Sequence, residues 1–286
     1  MTEMVQPKVA LILYGQPRFI STKLASRSQR KFLKNCDVST FGHVWFSKID
    51  TKLETSSWNT IVKLRIDSDA LSIIADQWPG ISLKAEEPRE FEVREFQTGL
   101  GVFKWNPKLP IGGNTRRNAS NTVSQLYSIN QALSLANAAN EVRPFDYYVL
   151  TRYDCVIGYF PNYKKWEIDK LLLTSHHDFP DPLLIGTPSI VNATNAFPNW
   201  QAYAGNSDFF TTPEELKKEE FLNHFDSNSY TNVKSRVEFL RSDSKLNGII
   251  LFYIKMSPII IFTRRVMGKV TYEFGRLKES IREFRS

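Results

Sequence analysis

Cysteine is scarce in this sequence, with only Cys36 and Cys155 among 286 residues. Two cysteines cannot build a disulfide framework, so we expect reduced thiols and a cytoplasmic protein held together by its apolar core. Long apolar runs are also missing. The run 9–14 is far shorter than the roughly 20 residues that cross a bilayer, and the run 249–262 is broken by Pro258. The start of the chain carries an acid and a proline, so we expect neither a secretory leader nor a membrane span.

Several catalytic signatures are missing as well. The sequence has no phosphate-binding P-loop, no glycine-rich dinucleotide fingerprint and no nucleophile elbow of the hydrolase type. The spacing of the histidines does not match that of zinc ligands with the cysteines or with one another; they are His43, His176, His177 and His224. A zinc enzyme, a P-loop NTPase and a serine hydrolase are therefore not indicated, and we interpret His43 as a buried residue of the core or of a cleft.

Basic residues outnumber acidic ones by 37 to 30, which gives a net charge of +7. Such a field favours polyanionic partners such as nucleic acid or nucleotide phosphates, although a basic solvated surface gives the same count. Basic residues are dense in the last part of the chain, from Arg264 to Arg285, but Glu273, Glu279 and Glu283 alternate with them. This alternation favours a charged surface helix over a nucleic-acid-binding arm.

The first 155 residues alternate between strand and helix patterns, which predicts an α/β fold with a mostly parallel sheet in a single domain, 1–286. Strands are predicted at 9–14, 38–46, 81–84, 145–150, 183–186, 202–210 and 259–263. Helices are predicted at 21–35, 60–77, 213–225, 231–242 and in a segment that Ser120 or Asn121 would cap. Residues 86–119, which end in Arg116 and its neighbours, are predicted to form a long loop.

Polar clusters follow two of the predicted strands. Gly15, Gln16, Pro17 and Arg18 follow the first strand, and the segment 152–154 follows the fourth. Parallel sheets bind ligands at the carboxyl ends of their strands, where arginine suits phosphate oxygens and aspartate suits Mg²⁺ or Mn²⁺. The pair therefore predicts a site for a nucleoside diphosphate and a metal. A plain turn at the first cluster and a structural salt bridge at the second remain alternatives.

Four segments together resemble a group of small GT-A-type glycosyltransferases of bacteria and large viruses, in which Arg-x-Asp stands where other GT-A enzymes have Asp-x-Asp. They are LILYGQPR (11–18), FGHVW (41–45), SQLYS (124–128) and DYYVLTRYD (146–154). The resemblance implies a GT-A-like fold with a Rossmann-type sheet. Residues 1–155 would then be the nucleotide-sugar-binding half and residues 156–286 the acceptor half.

The resemblance also implies roles for individual residues. The nucleotide-sugar would be bound by Tyr14, Gly15, Gln16, Pro17 and Arg18, and we add Arg116 to this set. Arg152 would act on the leaving diphosphate and Asp154 would hold a divalent cation, Mn²⁺ or Mg²⁺. The arginine in place of the first acid puts that metal dependence in doubt. Asp208 is our expected acceptor-activating carboxylate, with a turn or helix cap as its structural alternative.

These inferences predict a glycosyltransferase that moves a sugar from a nucleoside-diphosphate donor, with UDP favoured, to a hydroxyl acceptor. The net charge of +7 favours double-stranded phage DNA with hydroxymethylpyrimidine bases as the acceptor, which would place a viral protein in the host cytoplasm. A precursor of lipopolysaccharide or capsule is the alternative acceptor. A non-catalytic protein that binds nucleotides or polyanions is the alternative from another class.

Overall fold

The computed structural model describes residues 6–48, 52–57, 60–89, 91, 95–98, 101–104, 119–174, 179, 182–200 and 213–240. Its strands are β1 Lys8–Gly15, β2 Asp37–Trp45, β3 Lys52–Ser57, β4 Thr60–Arg65, β5 Ser82–Glu86, β6 Glu95–Thr98, β7 Gly101–Lys104, β8 Tyr147–Arg152, β9 Cys155–Tyr159, β10 Leu171–Thr174, β11 Leu183–Gly186, β12 Tyr230–Val233 and β13 Arg236–Phe239. Its helices are α1 Leu24–Phe32, α2 Ala70–Gln77, α3 Ala119–Val142, α4 Pro188–Asn192 and α5 Pro213–His224.

Seven of these strands form the central sheet, in the spatial order β12–β10–β11–β8–β1–β2–β5. Neighbours pair in parallel except around β11, which runs antiparallel to β8 and to β10. The apolar run at 9–14 suits the position of β1 in the interior of the sheet, between β8 and β2, where its side chains are buried on both faces. The predicted α/β fold with a mostly parallel sheet is confirmed.

Alternate residues of β1 face two separate layers. Ala10, Ile12 and Tyr14 pack with residues of α3, α4 and α5. Val9, Leu11 and Leu13 pack on the other face with the segments around α1 and α2 and with β9 and β13, which pair antiparallel to each other. Strands from both halves of the chain share the central sheet. No helix in the described part of the chain is long and apolar enough to cross a membrane.

Several predicted elements are confirmed with small shifts at their ends: β1, β2, β5, β8, β11, α1 and α5. The helix predicted at 60–77 is wrong in its first half, because 60–65 pairs with 52–57 as an antiparallel hairpin and only α2 is helical. Thr60, Ile61 and Val62 are β-branched, which favours a strand, and Asp67 and Asp69 bracket the turn that separates the two elements.

Three further predictions are corrected by the structure. The helix predicted at 231–242 is wrong, because β12 and β13 occupy this segment and pair with β10 and β9. The loop predicted at 86–119 contains the antiparallel pair β6–β7, in which Phe96 is paired with Phe103, and aromatic residues are common in strands. Helix α3 already begins at Ala119, so Ser120 and Asn121 lie in its first turn and do not cap it. The strands predicted at 202–210 and 259–263 lie outside the described residues.

Candidate functional site

Strand β1 has neighbours from two different parts of the chain. β2 and β5 lie on one side of it, and β8, which follows α3, lies on the other side. Because β1 and β8 are parallel, the segments that follow them begin at the same carboxyl edge of the sheet, which is where open α/β sheets bind ligands. Tyr14 is paired with Arg152 in the parallel register. The two predicted polar clusters consequently start side by side.

The segment after β1 is fixed by local contacts. Gly15 has φ = 100°, a left-handed conformation that favours glycine, and its N–H donates to Ser128 Oγ at 2.8 Å. Arg18 donates from Nε (2.8 Å) and Nη2 (2.5 Å) to the amide oxygen of Gln16. Gln16 and Arg18 are half-buried, whereas Pro17 is buried. Tyr14 is 1% exposed and packs in the core on the α3 side of the sheet, so it supports this loop from the protein interior.

The segment after β8 carries a planar ion pair. Arg152 donates from Nε to Asp154 Oδ1 at 2.9 Å and from Nη2 to Oδ2 at 2.7 Å. This two-point arrangement fixes the guanidinium plane as well as its position. Asp154 is 2% exposed and the Arg152 side chain 20%. The guanidinium also lies 4.2 Å from the ring centroid of Phe239, and the backbone oxygen of Asp154 accepts from the N–H of Leu240.

Arg18 is electrostatically linked to this ion pair. The pKa of Arg18 is lowered to about 10, mainly by burial and next by repulsion from Arg152, while attraction by Asp154 partly opposes both effects. The three charged groups therefore share one region at the carboxyl edge of the sheet. Two guanidinium groups and one carboxylate leave one positive charge in excess. Such a region is suited to an anion.

Helix α1 braces the segment after β8. Gln29 is fully buried, and its Nε2 donates to the carbonyl oxygens of Arg152 (3.1 Å) and Cys155 (3.0 Å). Its amide oxygen accepts from Trp78 Nε1 at 3.2 Å. Gln77, the residue before Trp78, donates to the carbonyl oxygen of Ile20 in the segment that follows Arg18. One end of α2 thus supports both halves of the site.

Tyr153, between the paired Arg152 and Asp154, points into the core. It is fully buried, its ring lies 5.6 Å from that of Trp78, and its hydroxyl has no hydrogen-bond partner among the described residues. Burial raises the pKa of this hydroxyl. A Cβ at Gly42 would collide with the same hydroxyl, so glycine permits β2 to lie against it.

A buried polar network lies on the β2 side of Gly15. His43 is fully buried, with Nδ1 2.8 Å from Ser128 Oγ and Nε2 2.9 Å from Glu86 Oε2. The arrangement that satisfies every group has Ser128 donating to Nδ1 and Nε2–H donating to the Glu86 carboxylate. Burial lowers the pKa of His43 more than Glu86 raises it.

The Glu86 carboxylate anchors the outer end of this network. Partial burial acts to raise the pKa of Glu86, but hydrogen bonds from His43, Tyr127 and Lys84 outweigh it and lower that pKa. Arg89 lies 4.2 Å from the ring centroid of Tyr127. Sequence reasoning missed Glu86 and Ser128, although Glu86 follows a predicted strand and Ser128 ends one of the four segments that carry the resemblance.

The surroundings of Asp154 do not fit a divalent cation. Both carboxylate oxygens accept from the Arg152 guanidinium, and the carboxylate is buried. In the described part of the chain, no group of three or more His, Cys, Asp or Glu side chains is arranged to hold a metal ion. Magnesium and manganese bind carboxylates and water oxygens, so a guanidinium at this position competes directly with them.

Two predicted site residues, Arg116 and Asp208, lie outside the described residues. The structure therefore brings together the residues after β1 and those after β8, and it adds the network of His43, Ser128 and Glu86 next to Gly15.

A scan against protein-family models finds no match to this chain. A search of curated proteins finds no significant match.

Proposed function

We propose that the protein is a glycosyltransferase that binds a nucleoside-diphosphate sugar at the carboxyl edge between β1 and β8 and transfers the sugar to a hydroxyl group. The observation that supports the proposal most is the excess positive charge at the edge where β1 and β8 end. Arg18, Arg152 and Asp154 form this charged region. Fixed guanidinium groups stabilise the charge that develops on a departing diphosphate.

The proposed roles follow the positions of the residues. Arg18 and Arg152 would contact the diphosphate, and the loop that begins at Gly15 would lie against the nucleotide. Because Tyr14 is buried in the core, it would support this loop rather than touch the donor. Asp208 and Arg116 keep their predicted roles with the acceptor and the donor.

The acceptor that we propose is DNA with hydroxymethylated pyrimidines, because a net charge of +7 favours a polyanionic partner. A flipped-out base would present its hydroxyl to the donor sugar. The test is to incubate the full chain with UDP-glucose and either hydroxymethylcytosine DNA or a lipopolysaccharide precursor, and to measure sugar transfer by mass spectrometry.

We expect sugar transfer to the modified DNA, and we expect the transfer rate to fall steeply as salt is added. Transfer to the glycan precursor alone would replace the DNA acceptor but keep the reaction. The pairing of Asp154 with Arg152 also suits a non-catalytic nucleotide-binding protein, because the Asp154 carboxylate then has no metal to hold. Nucleotide-sugar binding without turnover, across a panel of donors and acceptors, would favour that alternative.

A further inference from the structure

We propose that the donor diphosphate is bound by Arg18 and Arg152 without a divalent cation, and that Asp154 is the fixed counter-ion of Arg152. This inference rests on the proposed function and names the groups that neutralise the diphosphate in that same site. It differs from the role expected for Asp154 as a metal ligand.

The first argument is that both carboxylate oxygens of Asp154 already have a hydrogen-bond partner. Each of its oxygens accepts a hydrogen bond from Arg152, at 2.9 and 2.7 Å, and the residue is 2% exposed. A cation at this carboxylate would have to displace the guanidinium of Arg152 and leave it without its carboxylate partner, which is strongly unfavourable for a largely buried ion pair. The backbone of the segment is held as well, because Gln29 donates to the carbonyl oxygens of Arg152 and Cys155.

The second argument is that, among the described residues, no carboxylate is in direct contact with Arg18. Both of its described hydrogen bonds go to the neutral amide of Gln16, and no carboxylate of the described residues forms an ion pair with it. Burial and the nearby charge of Arg152 disfavour the charged form of this group, as the lowered pKa of Arg18 indicates. A bound anion would compensate this unfavourable charge. The site therefore gains more from a diphosphate than from a cation.

The chemistry of transfer needs this charge. The bond between the anomeric carbon and the diphosphate oxygen breaks, and the electron pair stays on the diphosphate, which gains one negative charge. The acceptor hydroxyl oxygen forms the new bond to the anomeric carbon, and its proton passes to a general base, the role predicted for Asp208. Two positioned guanidinium groups stabilise the departing diphosphate in the way that a metal ion does in other sites.

The test is calorimetric titration of the full chain with inorganic pyrophosphate, a probe that does not depend on the identity of the base or the sugar. The titration is run at low salt with EDTA and again with Mn²⁺, and it is repeated with UDP-glucose. We expect pyrophosphate and UDP-glucose to bind in EDTA. Binding of both only in Mn²⁺ would overturn the cation-independent site alone. Failure of UDP-glucose and of a panel of other nucleoside-diphosphate sugars to bind in either buffer would overturn the proposed function itself.

Two variants and a matched control sharpen the result. Arg18→Gln should weaken pyrophosphate binding in EDTA by about tenfold or more, since a hydrogen bond to a charged group contributes about 1.5–3 kcal/mol. Arg27→Gln removes the same charge from an exposed position of α1 and should leave the affinity unchanged. Equal effects of the two variants would contradict the assignment of Arg18.

Asp154→Asn separates a counter-ion from a metal ligand. We expect it to bind pyrophosphate in EDTA at least as tightly as the original protein, because it removes a negative charge from the site. Loss of binding in a variant with an unchanged circular dichroism spectrum would overturn the proposal.

Arg18→Gln gives a second, independent readout: without ligand its thermal midpoint should rise, because a poorly compensated charge is removed. A lower midpoint would contradict the charge argument.

Discussion

Ser128 Oγ, on helix α3, lies 2.8 Å from the backbone nitrogen of Gly15, the last residue of the central strand. This contact holds Gly15 at the point where its backbone turns to φ = 100° and the loop towards Arg18 begins. The same oxygen lies 2.8 Å from His43 Nδ1, so α3, β1 and β2 meet at one hydroxyl. A single buried serine therefore links the helix layer to the candidate site.

Replacing this serine should destabilise the fold. Ser128→Ala leaves the Gly15 N–H and the His43 Nδ1 without a partner in a buried position, and each such group costs about 1–3 kcal/mol. Ser134→Ala is the matched control, because Ser134 is exposed on the same helix and its hydroxyl bonds to a helix carbonyl. The control should change the free energy of unfolding in urea by less than about 0.5 kcal/mol. Similar losses in both variants would show that the Ser128 contact contributes nothing.

Stability should decrease as the pH falls below 6.5, the ordinary pKa of histidine. Burial lowers the pKa of His43 in the folded state. As the pH falls, the imidazole is therefore protonated in the unfolded chain before it is protonated in the folded protein. Protonation consequently favours unfolding at pH values between the pKa of folded His43 and 6.5. Glu86 has a lowered pKa too, but it titrates below its ordinary value of 4.5, outside this window. His43→Gln should make the free energy of unfolding less dependent on pH between 4.5 and 6.5. An unchanged slope would contradict a buried neutral imidazole.

Gln29 should matter for both stability and donor binding. Gln29→Met keeps the volume but removes the donors to Arg152 and Cys155 and the acceptor for Trp78, so a loss of about 1–3 kcal/mol is expected. Because the segment that carries Arg152 is then held less firmly, the affinity for UDP-glucose should fall as well. Arg30→Met, at an exposed position of the same helix, is the control. Normal donor affinity in a destabilised but folded Gln29→Met protein would limit Gln29 to a role in folding.

Removing the unpaired hydroxyl of Tyr153 should stabilise the protein. Tyr153→Phe keeps the ring against Trp78 and deletes a buried polar atom that has no partner, so a gain of about 1 kcal/mol is expected.

Gly42→Ala provides the complementary test. Its Cβ would collide with the Tyr153 hydroxyl, at a cost of about 1–3 kcal/mol. Combining it with Tyr153→Phe should recover part of this loss. Strictly additive effects in urea unfolding would argue against their direct contact.

The fold class could be predicted because its signals are local. The apolar run of β1 and the stop at Gly15 identify a buried strand without any knowledge of its neighbours. The segments 60–65 and 231–239 were not assigned correctly in this way. At 231–239 the pairing with distant strands decides the structure, β12 with β10 and β13 with β9, whereas at 60–65 the neighbouring segment 52–57 supplies the partner.

The candidate site was predictable only in part, for a related reason. Arg18, Arg152 and Asp154 stand next to strand ends, so the rule for parallel sheets places them at one edge. The bond from Gln29 to Arg152 spans 123 positions, and the contact between His43 and Glu86 depends on the pairing of β2 with β5. Sequence spacing carries no signal for such contacts. The ion pair of Arg152 with Asp154 was one of the alternatives left open by the sequence, and its two-point geometry is seen only in the structure.

The most direct test of the account is the affinity of UDP-glucose for the original protein, Arg18→Gln and Arg27→Gln, measured by calorimetry at low salt. If the edge between β1 and β8 holds the donor diphosphate, the original protein and Arg27→Gln bind equally and Arg18→Gln binds about tenfold or more weakly. Equal affinity in all three proteins would contradict the account, because the donor would then lie away from Arg18.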